Sequence, residues 1–265
     1  MRTILVFTIL LLWMVPAQAA VRSEPVEYKQ GDATLEGYLA WDDALTDKRP
    51  GVLIVHEWWG LNDYIKGRAD QLAQMGYVAF AADIYGKGKR AKDATEAGQL
   101  AHIYWSDRKL LRARANAGLD MLMRYQLTDP KRVAAIGYCF GGTTVLELAR
   151  SGADIAGVVS FHGGLDTPDP NDAKNIKAKV LVLTGADDPN VPASQVLAFA
   201  DEMRKARVDW QLVMYGGAVH SFTNPASGND PSKGVAYNEK ADRRSWQAMK
   251  DFFAEMFKQG LATEG

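Results

Sequence analysis

From Gly51 onward, short apolar runs alternate with longer stretches of helical periodicity, and that alternation leaves few folds open. Val52–Val55, Tyr77–Ala82, Arg132–Gly137, Ile155–Phe161, Val180–Thr184 and Trp210–Tyr215 read as strands. Between and after them, Tyr64–Met75, Ala91–Tyr125, Thr143–Arg150, Ser194–Ala206 and Tyr237–Lys258 read as helices. The runs VLIV, VAAI and VLVL show no polar alternation, so each strand must be covered on both faces. They are short and bounded by Gly, Asp or Pro, which favours buried strand over buried helix. The expectation is an α/β protein with a doubly wound, mostly parallel sheet and helices on both faces. Ahead of it, Val26–Gln30 and Thr34–Trp41 flank Gly31-Asp32 and predict an antiparallel hairpin. Gly163–Asp172 and Asn224–Lys233 read as loops, the first crossing the top of the sheet.

The first twenty residues stand outside that pattern. Arg2, the apolar run Ile4–Val15, Pro16 and the small residues Ala17-Gln18-Ala19-Ala20 have the layout of a secretory signal peptide, with a cut expected after Ala19 or Ala20. A membrane span needs ~20 apolar residues, more than this run supplies, so no stable anchor is expected. The expected product is an exported, periplasmic or secreted chain, residues 21–265, forming one domain with no large cap. The full sequence carries a formal net charge of −1, which becomes −2 once Arg2 is removed with the leader, and it has no basic stripe, which argues against nucleic acid as a partner. The sequence leaves the oligomeric state open, with a monomer favoured. One cysteine, Cys139, excludes an internal disulfide and leaves two roles for that residue: small buried hydrophobe or reactive thiol.

Gly137-Tyr138-Cys139-Phe140-Gly141-Gly142 lies between an apolar strand and a helical pattern. It has the G-x-nucleophile-x-G form of a nucleophile elbow, with Cys in the usual Ser position. A strand-to-helix turn this tight leaves no room for side chains two residues before and after the nucleophile. It also puts the thiol at a helix N-terminus, where the dipole favours a thiolate. After the second strand beyond the elbow comes Gly185-Ala186-Asp187-Asp188-Pro189-Asn190-Val191-Pro192, and after the third comes His220-Ser221-Phe222. Nucleophile, acid and histidine therefore follow in the order of the α/β-hydrolases. Singly, an Asp beside Pro is a turn former and a loop histidine is a solvated side chain; the order and spacing together carry the triad. Asp188 is preferred to Asp187 because it stands nearer the turn.

Over nearly the whole mature sequence the chain resembles the dienelactone hydrolase family. The residues that carry the likeness are His56-Glu57-Trp58-Trp59-Gly60-Leu61-Asn62, Ala82-Asp83-Ile84-Tyr85-Gly86, the GYCFGG block, Asp187–Pro192 and His220-Ser221-Phe222. The resemblance implies a triad of Cys139, His220 and Asp188, with Glu57 as a further carboxylate contacting the cysteine and deprotonating it when substrate arrives. It also implies an oxyanion hole from the backbone N–H groups of Phe140 and Trp58. For Glu57 the alternative is simply a charge ending a buried strand. His56-Glu57 suggests a zinc protease motif, but Gly60 occupies the place of its second histidine, and no metal is expected. Neither a phosphate loop nor a dinucleotide fingerprint occurs, so no cofactor is expected. His102 and His162 read as core or surface residues, with His162 placed to edge the pocket.

The founding members of the family hold the carboxylate of dienelactone with two arginines, and the matching positions here are Lys87 and Asn224. Lysine lacks the bidentate fork and asparagine lacks the charge. Trp58, Trp59 and Tyr85 would instead wall the pocket with aromatic surface, unless they serve only as core. The expected function is cleavage of a small ester or lactone through an acyl-cysteine. A non-catalytic binding protein on the same scaffold is the rival, motivated by the substituted arginines. A thiol redox sensor is disfavoured by the lack of a resolving cysteine.

Overall fold

The protein is described by a computed structural model over residues 21–258. The expected signal peptide and its cut at Ala19 or Ala20 lie outside the described residues. The chain opens with β1 (Val21–Gln30) and β2 (Ala33–Asp42), joined by a turn at which Gly31 takes a φ of +56°. They pair antiparallel in full register, Val21 opposite Asp42 and Gln30 opposite Ala33. Next come β3 (Arg49–Val55), α1 (Asp63–Gln74) and β4 (Val78–Ala82). After α2 (Ala94–Ser106) and α3 (Arg108–Arg124), β5 (Thr128–Tyr138) runs directly into α4 (Phe140–Arg150). The remainder is β6 (Gly157–Phe161), β7 (Lys179–Gly185), α5 (Ala193–Ala206), β8 (Trp210–Tyr215) and α6 (Glu239–Lys258).

All eight strands form one sheet in the order β1-β2-β4-β3-β5-β6-β7-β8. β2 is antiparallel to β4, and every pair from β4 across to β8 is parallel. This is the sheet expected from the unbroken apolar runs. In β3, Leu53 and Val55 face a core shared with α2–α5, whereas Val52 and Ile54 face the core beneath α1 and α6. Successive side chains of a strand point to opposite faces, so a strand covered on both sides must be apolar at every position. The chain leaves β3 toward β4 and returns to its other side as β5. That reversal opens a crevice at the carboxyl ends of β3 and β5, where open α/β sheets bind ligands.

The helical stretch read across Ala91–Tyr125 is two helices. Asp107, at φ −125° and ψ 85°, leaves the helical region, and its side chain accepts the Leu110 N–H as the N-cap of α3. The two stretches read as loops each contain short 3-10 turns, Pro170–Asn175 in or beside the first and Pro225–Ser227 and Pro231–Lys233 in the second. Proline at the first turn position and an Asx cap ahead of it explain all three. Among the described residues no helix is long and apolar enough to cross a membrane.

A buried ion network braces the back of α4. The Arg150 side chain is 1% exposed; its Nε and Nη2 each lie 2.8 Å from an oxygen of Glu202 on α5, and its Nη1 is 3.0 Å from Glu147. Nη2 also donates to the Leu165 carbonyl at 2.9 Å, tying the loop after β6 to both helices. Removing Glu202 leaves the buried guanidinium with Glu147 as its only carboxylate and two of its N–H groups without a partner, and breaking a buried pair costs about 3–5 kcal/mol. Glu202→Ala is therefore expected to lower the free energy of unfolding by about 3 kcal/mol in urea denaturation. An unchanged midpoint would contradict the bracing role.

Candidate active site

β5 ends at Tyr138 and α4 begins at Phe140, so the whole reversal falls on Cys139, held at φ 53° and ψ −115°. Positive φ is costly for a residue with a side chain and persists only where the surroundings impose it. Here the imposing feature is backbone crowding. A Cβ on Gly137 would lie 2.0 Å from the Gly141 carbonyl oxygen, and a Cβ on Gly141 would lie 2.1 Å from that of Val55. Gly137 and Gly141, the two glycines flanking the nucleophile at two residues' distance, are thus required by close approach of chain to chain.

The turn carries the sulfur to the imidazole. Cys139 Sγ lies 3.1 Å from His220 Nε2, and His220 Nδ1 lies 2.8 Å from Asp188 Oδ2. The other Asp188 oxygen accepts the Asn190 N–H at 2.8 Å, which fixes the carboxylate within its loop. Asp187 points elsewhere and accepts the Gly217 N–H at 3.0 Å, so of the two neighbouring acids Asp188 reaches the histidine. The His220 loop is pinned by backbone bonds from His220 N–H to Gly234 and from Ala236 N–H to His220. Burial pulls the His220 imidazolium down, but charge on the Cys139 sulfur and the hydrogen bond to Asp188 outweigh it and hold it well above the ordinary histidine range. Such a pair can draw a proton from the thiol and stabilise the imidazolium that results.

Around the sulfur the other expected groups divide. Neither the Trp58 nor the Phe140 backbone N–H finds an acceptor among the described residues. The Trp58 carbonyl is held at 3.0 Å by the Tyr85 hydroxyl, which orients the Trp58 segment from below. Glu57 lines the same pocket, but its oxygens are taken by Ser221 Oγ at 2.8 Å and Asn224 Nδ2 at 2.6 Å. The expected contact between Glu57 and the thiol is replaced by these two donors, and the sulfur bonds to His220 instead. Burial raises the Glu57 carboxyl above its usual range against the opposing pull of Ser221 and Asn224.

The pocket has a volume of about 1160 Å³ and is walled by Trp58, Trp59, Trp105, Phe140 and Val235. Of the four expected pocket residues Trp59 and Asn224 line it, and Tyr85 and Lys87 need correction. Tyr85 is 1% exposed and lies beneath the pocket, packed on Phe140 and Tyr104, because its hydroxyl is spent on Trp58. Lys87 lies outside, paired on the surface with Glu27 and Glu36 of the hairpin. Asn224 does line the pocket, yet its side chain is committed to Glu57 and, through Oδ1, to the Ala226 N–H. Trp105, Arg108 and Asp166 line the pocket without having been singled out in the sequence. The break at Asp107 is the signal that could have placed Trp105 and Arg108 at a helix junction above the sheet. His56 is fully buried, accepting the Ile84 N–H through Nε2, and His162 is buried under the site rather than at its edge.

A sheet of this order with an elbow at β5, an acid after β7 and a histidine after β8 defines an α/β-hydrolase. The chain belongs to the dienelactone hydrolase family, whose sequence model matches residues 35–257, and it is an ester or lactone hydrolase. It is 43% identical to the crystal structure of a dienelactone hydrolase-like promiscuous phosphotriesterase from metagenomic libraries, with a TM-score of 0.86 over 89% of this chain and 99% of that one. Protein usf of Aquifex pyrophilus is 31% identical over 87% of this chain and 97% of its own length. A protein of Aquifex aeolicus, provisionally named a carboxymethylenebutenolidase, is 30% identical over 88% of this chain and 98% of its own.

The raised Glu57 carboxyl makes a pH-dependent prediction. Its folded form binds the proton more tightly than the unfolded chain, whose carboxyls titrate near ~4.3. The stability it contributes is full below that value and is lost as pH rises through the folded value. Glu57→Gln does not titrate, so its stability relative to the parent is expected to improve between pH 4 and pH 8. A difference in unfolding free energy that stays flat across that range would contradict the raised carboxyl.

Proposed function

We propose that this chain is an exported hydrolase whose Cys139 sulfur attacks the carbonyl carbon of a small ester or lactone. The observation that carries it is the unbroken relay of Cys139 Sγ, His220 and Asp188, with contacts of 3.1 Å and 2.8 Å. In the first half-reaction His220 Nε2 takes the thiol proton as sulfur adds to the carbonyl. The oxyanion faces the free N–H groups of Phe140 and Trp58, which are stronger donors in a water-poor site than in bulk. Collapse breaks the carbon–oxygen bond, and the His220 proton leaves with the alkoxide. Water then attacks the acyl-sulfur with His220 as base and Asp188 steadying the imidazolium, releasing acid and restoring the thiol.

The tryptophan wall of the pocket supports an aromatic or acyl ester as substrate. Support for dienelactone itself is weak, although a relative bears a carboxymethylenebutenolidase name. Lys87 faces the hairpin acids and Asn224 faces Glu57, so neither offers a cation to a substrate carboxylate. The relative with phosphotriesterase activity justifies adding a phosphotriester to the substrates tried. Export is part of the proposal and rests on the leader pattern of Arg2, Ile4–Val15 and Ala17–Ala20. N-terminal sequencing of the secreted chain is expected to begin at Ala20 or Val21; an intact Met1 terminus in the cell extract would refute it.

Cys139→Ala and His220→Ala are each expected to lower kcat on p-nitrophenyl acetate by about 10³-fold or more with the fold intact by circular dichroism. Turnover persisting in Cys139→Ala would remove the sulfur mechanism. Complete loss of turnover by the parent chain with retained affinity for the ester would favour a binding protein.

A further inference from the structure

His162 is fully buried beneath the site, and nothing in the hydrolytic cycle uses it. It follows the last residue of β6 at a φ of 41°, beside Cys139 at 53° after β5, so two residues with side chains hold positive φ at adjacent strand ends. Its ring touches both halves of the catalytic pair. On one side Nδ1 accepts the Cys139 N–H at 3.1 Å, sharing it with the Phe161 carbonyl at 3.0 Å. On the other, Nε2 lies 2.7 Å from Thr223 Oγ1, three residues beyond His220 in the loop that carries it. The ring also packs edge-on against His220 and Phe222, with centroids 5.4 Å and 5.1 Å away.

The hydrogen-bond directions around this ring are determined. A backbone N–H can only donate, so Nδ1 is the acceptor and the proton resides on Nε2. Nε2–H then donates to Thr223 Oγ1, leaving the threonine proton for the Tyr64 hydroxyl 2.7 Å away. Tyr64 in turn donates to the Thr223 carbonyl at 3.2 Å, which also accepts from Arg68 Nη2 at 3.0 Å. Arg68 is fixed by Asp242 of α6 at 2.6 Å. Burial, then the charges of His220 and Arg68, hold His162 well below the ordinary histidine range, in keeping with a neutral ring.

We propose that His162 is a positioning residue: a neutral imidazole strut that spans from the Cys139 backbone to Thr223 and sets the distance between the thiol and the His220 ring. This rests on the cysteine mechanism proposed above. A residue that merely filled the core would need neither two-ended hydrogen bonding nor contact with both reacting loops. Because it acts on geometry in the reacting complex and not on the substrate pocket, its loss is expected to fall on kcat and leave KM nearly unchanged.

The test compares three substitutions on p-nitrophenyl acetate, with iodoacetamide alkylation of Cys139 measured alongside. Thr223→Val removes the hydroxyl with little change of shape. His162→Gln keeps a donor toward Thr223 but places nothing at the Nδ1 position. Thr223→Ser restores the hydroxyl. The expected result is a tenfold or greater fall in kcat for Thr223→Val and His162→Gln, KM within about twofold, slower alkylation, and recovery of most of kcat in Thr223→Ser. The inference is overturned if folded Thr223→Val and His162→Gln keep kcat within twofold, or if Thr223→Ser is as impaired as Thr223→Val. Cys139→Ala run in parallel separates the two proposals. Turnover surviving there overturns the sulfur mechanism and the strut with it, whereas an inactive Cys139→Ala beside unimpaired strut variants overturns the strut alone.

Discussion

The backbone at Gly141 passes so close to Val55 that no side chain fits between them, and the rest of the site depends on that approach. It draws the start of α4 onto the end of β3 and compresses the passage from β5 into a single residue. Cys139 is left in a strained conformation with its sulfur raised above the sheet. The same approach sets Gly141, next to Phe140, against the backbone of Val55 and His56, and Phe140 and Trp58 both line the pocket. The ends of β7 and β8, two and three positions from β5 in the sheet, then need only modest loops to bring Asp188 and His220 to the sulfur. Parallel strands supply this arrangement because all their carboxyl ends open on one side.

Within one buried pocket the ionisable groups are kept in different protonation states by the partners each is given. His220 faces the sulfur and Asp188, and its charged form is favoured despite burial. His162, a ring's width away, faces a backbone N–H and a threonine, and its charged form is disfavoured. Glu57 receives two neutral donors and no cation within bonding reach, so burial prevails and its carboxyl rises. In a medium of low dielectric such assignments cost little to maintain and much to violate. The asparagine at position 224 belongs to this pattern: an amide there holds Glu57 in place but contributes nothing to the charge of the pocket.

Much of this was legible in the sequence because it arises from local rules. VLIV, VAAI and VLVL read as strands covered on both faces, and the placement of the GYCFGG block between a strand and a helical pattern marked it as a compressed turn. The order of Cys139, Asp188 and His220 followed from counting strands. What the sequence did not disclose depends on where long side chains point. Lys87 was expected in the pocket from the resemblance alone, yet the acids of the hairpin, far away in the chain, draw it outward. Tyr85 is aromatic beside the pocket, but its hydroxyl finds the Trp58 carbonyl and commits the ring to the core. The strut at His162 was equally hidden, since its two partners lie 23 and 61 residues away. The helix break at Asp107 was readable from a capping residue, though helical periodicity on both sides obscured it.

The central claim is that sulfur, and no oxygen of the protein, carries the acyl group during turnover. Quenching the enzyme in acid within milliseconds of mixing with p-nitrophenyl acetate, followed by peptide mass mapping, examines that bond directly. An acetyl adduct confined to the peptide containing Cys139, formed and lost at rates that match turnover, is the expected result. An adduct on a serine or another residue, with the Cys139 peptide unmodified while product accumulates, would contradict it.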